Sequence, residues 1–67
     1  MSTPREMGMT LRRLRKARKM SQATLAKRAD LSREYVNKIE SGRYDPRLST
    51  INALAKALGV KPARLLE

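Results

Sequence analysis

Apolar residues return along this chain at helical intervals, with polar residues filling the gaps. Met7, Leu11 and Leu14 lie on one stripe, and basic residues surround them, which predicts a first helix from about Met9 to Arg18. Leu25, Ala26 and Ala29 make the buried face of a short second helix, with Ser21 as its N-cap. A third helix starts at the N-cap Ser32 and ends at Gly42 in the C′ role. Ile51, Leu54, Ala55 and Leu58 follow an i, i+3, i+4, i+7 pattern, so a fourth helix is expected between a Ser49 cap and Gly59. Pro62 suits the first turn of a short fifth helix ending in Leu65 and Leu66.

What lies between is equally informative. "RYDPRL" reads as a loop, because Pro46 has no amide proton and disfavours helix at Asp45. Asp30 falls at a sharp turn that usually favours Gly, and Asp tolerates the left-handed conformation better than most residues. Only about three residues separate the second and third helices, the spacing of a helix-turn-helix. Residues 1–8 show no periodicity and are expected to be a flexible arm carrying Arg5, leaving 9–67 as the folded domain. Strand signals are poor: few residues are β-branched, and Tyr35 and Tyr44 are the only aromatics. The expected fold is all-α, a compact five-helix bundle containing the helix-turn-helix.

Length and composition narrow the function. A chain of 67 residues is one small domain, and such a chain buries roughly 60% of the surface its unfolded form exposes. It contains no Cys and no His, which excludes disulfides and ordinary zinc sites and fits a reducing cytoplasm. No metal or cofactor is expected. No apolar run is long enough to span a bilayer, and no signal-peptide core is present. Sixteen Lys and Arg oppose six Asp and Glu, giving +10 and a pI near 11.2. That balance calls for a polyanionic partner. A catalytic reading has nothing to stand on: there is no phosphate loop and no carboxylate pair set for proton transfer.

The third helix, "LSREYVNKIESG", carries the chemistry. At about 100° per residue, Arg33, Asn37, Ser41, Glu34 and Lys38 follow one another around an arc of roughly 140°. Val36 and Ile39 must face the core. A solvated face is the ordinary reading of such an arc. Three features weigh against it here: this is the second helix of a helix-turn-helix, Ser32 and Arg33 bring amide donors and charge to its N-terminus, and the whole domain is basic. In a DNA major groove, Arg and Lys read guanine, Asn reads adenine, and Glu accepts from cytosine N4.

Residues 11–67 resemble the Xre-type helix-turn-helix family, which includes phage repressor and Cro domains of the lambda repressor-like fold. "MSQATLA", "LSREYVNKIESG" and "LSTINALAKALGV", in that order, carry the resemblance. It implies binding of double-stranded DNA through the third helix, commonly as a homodimer on a near-palindromic operator. By the resemblance Arg33, Glu34 and Lys38 reach base edges, with Asn37 flanking them. Gln22, Ser41 and Arg43 match phosphate-contacting positions, and Ser32 adds its helix N-terminus. Arg15 and Glu40 match a partly buried ion pair tying the first helix to the third. The chain departs from the family pattern at three places: Lys19 where Gly is common, Thr24 where Glu completes a capping box, and Lys61 where a Ser or Asp cap is usual.

The expected protein is a cytoplasmic, sequence-specific transcriptional regulator. With no room for a ligand-binding domain, its control is expected through concentration, dimerisation or a partner. An antitoxin or adaptor, whose main task is to bind a protein such as a toxin, is the alternative. A basic membrane-surface helix over 9–19 would explain the charge but not the caps and stripes that follow. Apart from Lys56, Lys61 and Arg64, the basic residues lie in the part of the chain that ends with the RYDPR loop. The pairing surface is therefore expected at the fifth helix and the loop before the fourth, with Leu65 and Leu66 at its centre.

Overall fold

The computed structural model describes residues 3–67. Five helices follow in order: α1 (Pro4–Ala17), α2 (Gln22–Ala29), α3 (Arg33–Glu40), α4 (Leu48–Leu58) and α5 (Ala63–Leu66), with no strand among the described residues. Each long stripe read from the sequence is buried. Met7, Leu11 and Leu14 of α1 meet Val36 and Ile39 of α3, Leu25, Ala26 and Ala29 of α2, and Ile51, Leu54, Ala55 and Leu58 of α4 in one core.

The first four helices end in the same way. Lys19 (φ 56°), Asp30 (φ 60°), Gly42 (φ 78°) and Gly59 (φ 72°) are left-handed, and each sits just past a helix. The next amide in each case reaches back five residues: Met20 to Arg15 at 3.1 Å, Leu31 to Ala26 at 2.8 Å, Arg43 to Lys38 at 3.1 Å and Val60 to Ala55 at 3.0 Å. This is the Schellman closure, which satisfies carbonyls the helix leaves unpaired. Met20, Leu31 and Val60 then pack on the core as the apolar residue that commonly accompanies it. Asp30 thus makes the turn between α2 and α3 in three residues, and Lys19 is left-handed at the position where the resemblance led glycine to be expected.

Three expectations need correction. The N-terminal arm is helical from Pro4; only Met1 and Ser2 lie outside the described residues. Thr3 and Glu6 form a capping box, with the Thr3 amide donating to the Glu6 carboxylate at 2.9 Å and the Glu6 amide donating to the Thr3 hydroxyl at 3.1 Å. The Thr3 backbone and then its hydroxyl hold the Glu6 carboxyl below the usual carboxylate pKa. Pro4 at the first helical position is preset for this start. Gly8 lies against α3: a Cβ there would collide with the Ile39 carbonyl oxygen and come within 2.8 Å of that of Glu40.

The second correction concerns α4, which is not capped by Ser49. Arg47 is the N-cap and makes no side-chain cap bond. Pro46 and Ile51 are both buried, and the first helical bond, Ile51 to Arg47 at 3.1 Å, starts two residues ahead of the expected cap. The third is Leu65. It was expected at a pairing surface beside Leu66, but it is only 1% exposed and closes the core, whereas Leu66 is 39% exposed. A one-turn helix can turn only one of two adjacent leucines inward, since neighbours stand about 100° apart.

Candidate nucleic-acid interface

α3 turns Val36 and Ile39 fully inward and leaves Arg33, Glu34, Asn37, Lys38 and Ser41 exposed. The sequence arc is therefore one uninterrupted polar face. Tyr35 borders it, half-buried, with Tyr44 of the following loop edge-on at 5.1 Å between ring centroids. That packing places Tyr35 at the rim of the core.

The N-termini of α2 and α3 are built alike. Ser21 Oγ accepts from the Thr24 amide at 3.0 Å, and Ser32 Oγ accepts from the Tyr35 amide at 3.1 Å. Each hydroxyl thus serves its own helix. By position, the first two amides, those of Gln22 and Ala23 in α2 and of Arg33 and Glu34 in α3, have no partner within the helix. Such amides, at the positive end of the helix dipole, suit phosphate oxygens.

Arg15 and Glu40 stand in a two-point ion pair. Nε donates to Oε2 at 2.6 Å and Nη2 to Oε1 at 3.0 Å, with side-chain exposures of only 9% and 3%. Arg15 also donates through Nη1 to the Met20 carbonyl at 2.7 Å, so it ties the end of α1 to α3 and closes its own following turn. The pair extends outward. Gln22 Nε2 donates to Glu40 Oε1 at 3.1 Å and to Asn37 Oδ1 at 3.2 Å. Both protons of the Gln22 amide are therefore engaged by other side chains of the protein, and its Oε1 cannot donate to a phosphate. The Gln22 donor without a partner inside the protein is its backbone N–H.

At the far end of α3, the Ser41 hydroxyl donates to the Lys38 carbonyl at 2.9 Å and accepts from Arg43 Nε at 2.9 Å. Ser41 orients Arg43, whose remaining guanidinium protons are available. Arg5 joins this end: a Cβ added at Gly42 would stand 3.0 Å from its Cα. The sequence had placed Arg5 in a loose arm. Its position became visible only through the Gly42 approach. Leu48, 63% exposed at the start of α4, is another residue that the stripe pattern did not single out.

The described residues hold no cluster of carboxylates, His or Cys able to bind a metal, and no helix is long and apolar enough to cross a membrane.

Comparison with known proteins agrees with this architecture. Residues 11–65 match the helix-turn-helix family HTH_3. The immunity repressor protein of Bacillus phage phi105 is 44% identical over 59 residues, which is 88% of this chain but 41% of that protein's length. The control protein C.BamHI of Bacillus amyloliquefaciens is 41% identical over 61 residues, covering 90% of this chain and 75% of that one. Among solved structures, the restriction-modification controller protein C.AhdI of Aeromonas hydrophila superimposes with a TM-score of 0.91 at 40% identity, covering 92% and 94% of the two chains. The DNA-binding domain of the P22 c2 repressor gives 0.89 at 35% identity over 98% of this chain and 86% of that one. With its helix-turn-helix at α2 and α3 and a match spanning nearly its whole length, the chain belongs to the Xre-type helix-turn-helix family.

Proposed function

We propose that the protein is a transcriptional regulator that binds double-stranded DNA with α3 in the major groove, as a homodimer on a near-palindromic operator. One observation carries the reading: the second helix of the helix-turn-helix presents an unbroken exposed face of Arg33, Glu34, Asn37, Lys38 and Ser41 on a domain of net charge +10. The names of its relatives, a repressor and two controller proteins, support it. Arg33 and Lys38 are the candidates for guanine, and Glu34 for cytosine N4. The amides at the starts of α2 and α3, with Arg43, hold the phosphates that set the register.

A dimer follows from economy of recognition. One α3 spans only a few base pairs, too few to single out a site among a genome's competitors. Two copies reading half-sites about one helical turn apart, 34–36 Å, double the contacted sequence. Leu66 and Leu48, both exposed and apolar, are the surface proposed to pair.

Titration of duplex DNA at rising salt tests the reading. A dimer making about 6–10 phosphate contacts loses roughly 10³–10⁵ in affinity between 50 and 200 mM salt. A flat response would overturn the assignment of the basic surface to nucleic acid.

A further inference from the structure

The two ends of α3 carry opposite partial charge. Its N-terminal amides suit a phosphate, whereas its C-terminal carbonyls form the negative pole of the helix dipole and repel one. At about 1.5 Å per residue α3 spans roughly 12 Å, about the width of the major groove. When its start rests on the phosphates at one border of the groove, its far end approaches the other border. Positive side chains are needed there.

Three arginines stand at that end. Arg43 is tethered through Nε to the Ser41 hydroxyl at 2.9 Å. Arg5 comes from α1: a Cβ added at Gly42 would lie 3.0, 3.3 and 3.5 Å from the Cα, Cβ and Cγ of Arg5, so the stem of Arg5 rests on the bare glycine. Arg12 is placed by the helix period. At about 100° per residue, Arg5, Gly8, Arg12 and Arg15 share one arc of roughly 80° on α1. Gly8 meets the carbonyls of Ile39 and Glu40, and Arg15 meets the Glu40 carboxylate, so this arc is the side turned to the end of α3. Arg12 lies within it and is exposed. None of the three arginines is in an ion pair among the described residues, and both oxygens of Glu40 are taken by Arg15 and Gln22.

Taking the DNA-binding reading above as its basis, the geometry points to Arg5 and Arg12 as phosphate-binding residues that complete, with Arg43, a clasp at the C-terminal end of α3. The clasp offsets the negative pole of the helix. It holds the backbone across the groove from the one met by the amides of α2 and α3. Each guanidinium offers a phosphate two parallel N–H bonds, which fix direction as well as supply charge. α1 thereby joins the interface, and Gly42 is what lets it come so close.

The test uses a duplex that the wild-type protein enriches from a random pool. Arg5→Gln and Arg12→Gln keep much of the side-chain stem and remove the charge. Arg13→Gln removes the same charge from an exposed position of α1 outside that arc and is the control. Circular dichroism first checks that each variant is helical. Arg5→Gln and Arg12→Gln are each expected to weaken binding alike on every sequence, and to reduce the slope of log affinity against log salt by about 1 for each copy bound. Arg13→Gln should change the slope by less than half as much. A scan of the duplex with single uncharged methylphosphonate linkages locates the contact. Wild-type binding should weaken at linkages on both borders of the groove, and Arg5→Gln should lose sensitivity on one border alone. Equal slopes for all three variants would overturn the proposal, because net charge would then explain them. So would sensitivity lost evenly on both borders. Should Arg5→Gln fail to fold, Arg12→Gln decides by the same two readings. Failure of the wild type to enrich any duplex is a separate outcome, which removes the DNA-binding reading itself.

Discussion

Gly8→Ala sets two known effects against each other. In an ordinary helix interior the change is stabilising by about 1 kcal/mol, because alanine has the higher helix propensity. At Gly8 the added methyl meets backbone: the Ile39 carbonyl oxygen lies in its place, and the Glu40 carbonyl oxygen would be 2.8 Å away. Carbon and oxygen prefer well over 3 Å, so α1 must withdraw from α3 by about 1 Å. Backbone cannot swing aside as a flexible side chain can, and overpacking of this sort costs about 1–3 kcal/mol. Because the obstacle is backbone, the cost lies in the upper part of that range, about 2–3 kcal/mol, and the net loss is about 1–2 kcal/mol. For a domain of this size each kcal/mol moves Tm by about 4–8 °C, so Tm should fall by roughly 5–15 °C. Thermal unfolding followed by circular dichroism measures it, with Met9→Ala, at a position 62% exposed, as the control that feels no steric conflict. DNA affinity should fall as well, since the α3 backbone that Gly8 touches ends at Glu40, the anchor of Arg15 and Gln22. A Gly8→Ala protein as stable as the wild type or more so would refute the close approach of the two helices.

Other outcomes follow from the same contacts. Arg15→Met should destabilise by about 3–5 kcal/mol, enough to unfold much of so small a domain, because Glu40 is left charged and buried; adding Glu40→Leu should restore a large part, as read from urea midpoints. An Arg15→Met protein with an unchanged midpoint would show the pair to be idle. Lys19→Gly should raise stability by about 0.5–1 kcal/mol, since Lys19 holds φ 56° and its side chain is exposed; a loss would mean that the side chain has a partner. Leu66→Asp should give a folded monomer with weakened operator binding, whereas Leu65→Asp should unfold; sedimentation and circular dichroism separate the two, and an intact Leu66→Asp dimer would remove Leu66 from the pairing surface.

Much of this protein was determined by local rules. Helical stripes needed only a period of 3.6. The two serine caps needed only a hydroxyl ahead of an apolar run, and they stand where expected at Ser21 and Ser32. Even the left-handed turn at Asp30 was legible, because the tight spacing of α2 and α3 leaves no room for another solution. The exposed arc of α3 followed from placing Val36 and Ile39 inside.

What the tertiary structure decided depends on partners remote in sequence. Gly8 lies in a stretch that shows no periodicity, and the carbonyls of Ile39 and Glu40 that require a glycine there come against it only on folding. Ser49 loses its capping role because burial of Pro46 and Ile51 starts α4 earlier. Leu65 and Leu66 are equivalent by composition, and the angle at which α5 meets α1 and α4 selects the one that is buried. Gln22 is the strongest case. Nothing local states which way its amide faces, and a pair of charges donated by α1 and α3 imposes that choice. A periodic pattern determines which face of a helix is apolar, because the period belongs to the helix itself. The polarity of a hydrogen-bond chain belongs to the groups at its far end, and only folding brings those groups together.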